Sequence, residues 1–106
     1  MDLVYTAHSH HTISRSQDIA VFVLKQGYIP IDPFLVLPPK VYDHLEFKED
    51  DCWNMDINLL KHCRELWIFG DKTPGVSKEI AWWKENRIEK DIKYFSWDEV
   101  AFVFGD

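Results

Sequence analysis

Basic residues never stand side by side in this 106-residue chain. Its 12 Lys and Arg are scattered singly among 18 Asp and Glu, for a formal net charge of −6. A surface of that sign repels phosphate backbones, which disfavours a polynucleotide partner and leaves room for a small nucleotide held at one local site. Cysteine is just as scarce. Cys52 and Cys63 are the only two, eleven apart and without CxxC spacing, so neither a disulfide framework nor a zinc ribbon is encoded. They read as reduced, structural thiols, and a cytoplasmic setting is expected. No apolar run approaches the length of a membrane span, and the acidic start at Asp2 does not resemble a signal peptide. Internal repeats and low-complexity tracts are missing too. The chain is far shorter than the roughly 250 residues of a (β/α)₈ barrel.

What is present suits one small domain over residues 1–106. A hydrophobic fraction of 46% is enough to bury a core and argues against intrinsic disorder. Leu3, Val4 and Tyr5 within residues 2–7 read as a buried strand. Ser14, with Gln17 in capping-box spacing and Asp18 in the first turn, opens a helix whose Ile19, Phe22, Val23 and Gln26 share a face. Gly27 is placed to stop it. Tyr28-Ile29 is strand-like. Pro30, Pro33, Pro38 and Pro39 then predict a long loop through Glu49, and such loops in compact domains are functional or mobile. A second helix is expected from about Trp53 to Cys63, and a strand over 65–70 ending at Gly70. Thr73-Pro74 has the N-cap and first-position proline of a helix ending near Asn86. A strand over 92–95 and a short helix from Trp97 to Phe102, capped by Ser96 and Glu99, complete the chain. Strands alternating with helices predict an α/β fold: a small doubly wound, flavodoxin-like three-layer sandwich around a parallel sheet. Ligands of such sheets gather at the carboxyl ends of the strands, which puts residues 8–11 and 70–75 on one rim.

That rim holds three of the five histidines, His8, His10 and His11. Imidazole is a common zinc ligand, and a His-x-His pair after a strand opens several metallohydrolase sites. A closed site would need further ligands. His44 lies in the long loop and His62 at a helix end, and no HExxH motif supports a metal elsewhere. Three readings of the stretch stay open: a metal site, a substrate-contacting loop, or a solvated loop between strand and helix.

Two stretches carry a resemblance. "WNMDINLLKHCRELWIFG" (53–70) followed by "TPGVSKEIAWW" (73–83) resembles the nucleoside 2-deoxyribosyltransferase-like superfamily, and in particular its small phage and bacterial members. The likeness runs from Val4-Tyr5 and Ala7 through Gly27 and Pro33 to Tyr94. It implies a nucleophile at Glu79, the Glu of a Gly-x-x-x-Glu motif that starts at Gly75. It implies an acid that handles the nucleobase at Asp56, and at Tyr5 a hydroxyl that holds the catalytic carboxylate. It also places the loop from His8 to Ser14 beside the sugar or phosphate. Three places depart from the pattern: Arg64 and Thr73 stand where family members carry Asp, and His8-Ser9-His10 replaces the usual Gly or Ser-Pro after Ala7.

Physical chemistry gives those residues plausible tasks of its own. Glu79 falls in the first turns of its helix, where the dipole favours the ionised carboxylate that nucleophilic chemistry needs. Gly75 leaves space for a sugar to approach. Asp56 shares the core side of its helix with Leu59 and Leu60, so desolvation is expected to raise its pKa toward that of a proton donor. Each also has an ordinary reading: helix-start electrostatics for both acids, core packing for Tyr5, Trp82 and Trp83. Taken together, the expectation is cleavage of the N-glycosidic bond of a nucleoside or nucleoside 5′-phosphate, by hydrolysis or base transfer. The catalytic set is Glu79, Asp56 and Tyr5. The substrate-binding set is Ala7, His8, Ser9, His10, Ser14, Arg15, Gly70, Asp71, Thr73 and Gly75, with Ser9, Ser14 and Arg15 at a helix start suited to a phosphate. No cofactor and no metal is called for, and the tryptophans suit the apolar interface of a homo-oligomer. A non-catalytic nucleotide-binding or nucleotide-sequestering module is the alternative, with a metallohydrolase behind it.

Overall fold

Period-two burial explains the centre of the molecule, whose computed structural model describes residues 1–105. In β1 (Leu3–Ala7), Tyr5 and Ala7 turn to one side and Val4 to the other. In β3 (Glu65–Phe69), Leu66 and Ile68 share the side of Tyr5, and Trp67 and Phe69 that of Val4. Strands that are apolar at successive positions must be covered on both faces. They pair accordingly into a four-stranded parallel sheet of order β2-β1-β3-β4, with β2 at Ile29–Ile31 and β4 at Ile92–Phe95.

Helix α1 (Ser16–Lys25) lays Ile19 and Val23 on the Val4 side. Helices α4 (Glu49–His62) and α5 (Pro74–Asn86) lay Leu60, Val76, Ile80 and Trp83 on the Tyr5 side. The result is the three-layer, doubly wound α/β architecture expected. Burying a side chain such as Leu60 or Ile19 contributes about 1.5–3 kcal/mol. Trp83 packs in the core and Trp82 against it, both as packing residues. Arg87 then ties the two helices together. Its guanidinium lies 4.5 Å from the Trp83 ring centroid and donates to the carbonyls of Leu60, Lys61 and Cys63 at the end of α4, where helix carbonyls run short of intrahelical donors.

Four sequence expectations need correction. The first helix does not open at Ser14: a 3₁₀ turn, His10–Arg15, precedes α1, and Ser9 caps that turn by accepting from the His11 N–H. Residues 30–49 are not one long loop. They hold two short helices, α2 (Pro33–Val36) and α3 (Pro39–His44), each with proline at its start, where the missing N–H costs nothing. Helix α4 begins at Glu49, four residues before Trp53, because Glu49, Asp50 and Asp51 fill a first turn that favours negative charge. The last helix is only a 3₁₀ turn, Trp97–Glu99, although its Ser96–Glu99 capping box is formed. Gly27 and Gly70 both have positive φ and end α1 and β3 as expected; at Gly70 an added Cβ would also strike the Trp97 indole.

The chain leaves β1 over one face through α1 and returns to β3 over the other through α4. Neighbouring connections therefore diverge between β1 and β3, and a crevice opens at their carboxyl ends.

Candidate functional site

A cleft of about 600 Å³ occupies that crevice. One wall is the loop after β1, from His8 to His11; a second is α2, through Pro33, Phe34 and Leu37. Helix α4 presents Glu49, Cys52, Trp53 and Asp56, which share a face at helical spacing. Helix α5 enters with Thr73, Pro74 and Gly75, and its next turn brings Lys78 and Glu79. Thr73 caps α5 by accepting from the Val76 N–H, which fixes where the first turns of that helix point.

Glu79 forms the floor. It is only 7% exposed, and the Tyr5 hydroxyl, reaching across from the middle of β1, donates a hydrogen bond to its Oε2. Burial pushes the Glu79 carboxyl up to about 8, against the hydrogen bond from Tyr5, with the charges of Asp56 and Asp32 adding to the rise. This overturns the expectation that the helix start would favour the ionised form. Glu79 lies in the second turn of α5, where the dipole has faded, and desolvation outweighs it. Burial also raises the Tyr5 phenol well above its ordinary value, with Glu79 as the next cause.

Asp56 faces the same cleft from the middle of α4 rather than from the start of its helix. Burial pushes it up to about 6, and the Lys78 ammonium opposes the rise, which is the desolvation expected of that side of the helix. Lys78 itself sits 4.5 Å from the Trp53 ring centroid. The two carboxyls act on each other electrostatically and are best described as a pair. Between pH about 6 and about 8 the pair holds one proton.

The other candidates divide. Ser9, His10, Thr73 and Gly75 line the cleft with His8. The His8 side chain is fully buried and committed to Asp32 and Thr12. His10 and His11 stand with ring centroids 4.0 Å apart at the exposed mouth. Among the described residues no three His, Cys, Asp or Glu side chains converge as a metal would require. Ala7 is sealed in the core beneath the cleft. Ser14 is exposed and outside the lining. Arg15 turns the other way: it pairs with Asp18, donates to the Val100 carbonyl and lies over the rings of Trp97 and Phe102. Neither can hold a phosphate in this cleft, because the 3₁₀ turn rotates them away from it. Gly70 and Asp71 are likewise outside the lining. Arg64 sits at the amino end of β3, its N–H donating to the Leu3 carbonyl, so that departure from the family pattern does not touch the cleft.

Several lining residues had no sequence signal assigned to them. Phe34, Phe47, Tyr42, Cys52 and Lys78 give the cleft its aromatic and mixed-charge walls. Cys52 is therefore a cleft residue, whereas Cys63 is a core thiol. Asp32-Pro33 carries the same N-cap and first-position proline pattern as Thr73-Pro74 and would have located α2.

A family model described as Domain of unknown function (DUF7768) matches residues 4–95. That span runs from β1 to the end of β4 and contains every element that lines the cleft. No curated protein and no solved structure matches the chain.

Proposed function

The chain belongs to the DUF7768 family, whose description names no activity, and we propose that this member cleaves the N-glycosidic bond of a nucleoside or nucleoside 5′-phosphate. The observation that carries the reading is the buried Glu79–Tyr5 pair on the floor of an aromatic-walled cleft, with Asp56 facing the same space.

The reaction needs one carboxylate to attack and one proton to leave with the base. Between pH about 6 and about 8 the pair Glu79–Asp56 carries that single proton. With the proton on the Asp56 side, Glu79 attacks the anomeric carbon as a carboxylate. A C–O bond to Glu79 forms, the C–N bond breaks with its electron pair going to the base nitrogen, and the base takes the proton from Asp56. Water then adds at the anomeric carbon and gives a proton to Asp56, releasing Glu79; a second base in place of water completes a transfer. Tyr5 keeps one oxygen of Glu79 engaged and leaves the other free to attack. Phe34, Phe47 and Trp53 offer apolar surface to a planar base.

The test is product analysis with a panel of nucleosides and 5′-nucleotides, with and without an acceptor base. Free base from one substrate, lost in Glu79→Ala, is the expected result. A second reading, a nucleotide-binding module without turnover, is favoured by the deeper burial of Glu79, which raises its carboxyl above that of Asp56, since a protonated carboxyl binds but does not attack. Tight binding with no product, unchanged in Glu79→Gln, supports that module and contradicts the glycosidase.

A further inference from the structure

The proposed chemistry makes no use of a fully buried His–Asp contact beside the cleft. His8 is the residue after β1 and Asp32 the residue after β2, so the parallel pairing of Tyr5 with Ile31 brings them together at the carboxyl edge of the sheet. His8 Nε2 and Asp32 Oδ2 are 2.8 Å apart, with side chains 0% and 2% exposed. Every side-chain polar atom of the pair has a partner, and the Ser16 hydroxyl also lies 3.4 Å from His8 Nε2. The Thr12 hydroxyl donates to the Ser9 carbonyl and so accepts from His8 Nδ1. Asp32 Oδ1 accepts from the Phe34 N–H. The Asp32 carbonyl accepts from the Leu35 and Val36 N–H groups.

Asp32 thus holds α2 by its carboxylate and by its carbonyl. A helix of four residues is too short to hold itself, because nucleation is unfavourable and few bonds follow. Its placement depends on what anchors its first turn. The Phe34 ring packs edge-on against His8, centroids 5.2 Å apart, and both rings line the cleft. A buried contact whose side-chain polar atoms all have partners holds its groups in one arrangement, and here that arrangement fixes the start of α2.

We propose that His8 and Asp32 are positioning residues of the cleft: they fix α2, and with it the Phe34 wall, against the end of β1, and so set how tightly the substrate is held without entering the bond-breaking step. The inference rests on the glycosidase reading only for the identity of the ligand.

The experiment compares Asp32→Ala, Asp32→Asn and His8→Asn with wild type in two measurements. The first is amide hydrogen exchange over residues 33–37, with α1 and α5 as internal references. The second is kcat and KM for the nucleoside or nucleotide that the wild type cleaves, each at its own pH optimum. Asn at position 32 can still cap Phe34 and meet a His8 nitrogen, whereas Asn at position 8 reaches Thr12 but not Asp32. Exchange in Asp32→Ala and His8→Asn is expected to rise roughly 10- to 100-fold over 33–37, the effect of losing a charge-assisted hydrogen bond, with α1 and α5 unchanged. KM for Asp32→Ala is expected to rise about tenfold with kcat within about twofold, as when uniform binding is lost. Asp32→Asn restores both. Wild-type exchange over 33–37 in Asp32→Ala, or a fall in kcat at constant KM, overturns the proposal. If Asp32→Ala does not fold, His8→Asn set against Asp32→Asn decides it by the same exchange criterion. A wild type that cleaves nothing refutes the glycosidase reading alone, and the exchange comparison still upholds or overturns the positioning role.

Discussion

Two carboxylates in this molecule are almost equally hidden and behave in opposite ways. Asp18 is 1% exposed and Glu79 7%. Burial alone would raise both. At Asp18 the rise is outweighed by hydrogen bonds from the Phe104 N–H, from Arg15 and from the Val103 N–H, and the carboxyl is held below its ordinary range. At Glu79, among the described residues, only the Tyr5 hydroxyl donates, two further acids press on the group, and burial pushes it up to about 8. Partners decide the sign, not depth. Asp18 is an anion at neutral pH that fastens the segment after β4 onto α1. Glu79 is a group able to gain and lose its proton near neutrality.

The largest expected effect separates the two in activity. Glu79→Ala removes the attacking group and is expected to lower base release by about 10³-fold or more, whereas Asp18→Asn leaves kcat unchanged; base release from matched amounts of folded protein checks both.

Stability against pH separates them next. A folded pKa raised to about 8 means that the Glu79 contribution is fully present below the ordinary carboxylate range and is lost as pH climbs through about 8. Glu79→Gln should flatten that decline and be more stable than wild type above about pH 8, by on the order of a few kcal/mol. The sign reverses at Asp18. Its lowered pKa contributes stability above the ordinary carboxylate range that is lost as pH falls through the folded value. Asp18→Asn should therefore cost about 1–3 kcal/mol at neutral pH and weaken the loss on acidification. Denaturant unfolding from about pH 2 to about pH 9 measures both curves.

Tyr5→Phe sharpens the contrast from the other side. Removing the one donor raises the Glu79 pKa further, so the alkaline limb of the rate profile, expected near 8 with an acid limb near 6, should move to higher pH. The loss of rate at the optimum should be roughly 10- to 100-fold. The smallest effect belongs to Arg15→Lys. It keeps the charge beside Asp18 but loses the planar stacking on Trp97 and Phe102, at a cost of about 1 kcal/mol and with no change in rate.

How much of this could be read from residues alone follows the same physics. The sheet was legible because Val4, Tyr5, Leu66 and Trp67 alternate between two buried faces, and α5 because Thr73-Pro74 is an unambiguous start. Topology sends Thr73 and Gly75 to the same edge as His8, whereas Glu79 and Asp56 follow only from the resemblance; all of them line one cleft. The segment 30–49 reads as a loop when proline counts only as a breaker, whereas Pro33 and Pro39 begin helices. Arg15 and Ser14 were misassigned because a Ser-x-x-Gln pattern satisfied the capping rule while Ser9 capped a 3₁₀ turn upstream. The protonation of Glu79 was out of reach for a different reason. It depends on how few donors reach a buried carboxyl: the resemblance implies Tyr5, 74 positions away, but that no second donor joins it among the described residues is set by the fold.

The most direct test of the central claim is intact-protein mass spectrometry during turnover of a nucleoside or 5′-nucleotide. The account predicts a transient adduct equal to the substrate's sugar or sugar-phosphate portion, mapped to Glu79 and missing in Glu79→Gln. Base release at full rate without an adduct, and undiminished in Glu79→Gln, would contradict it.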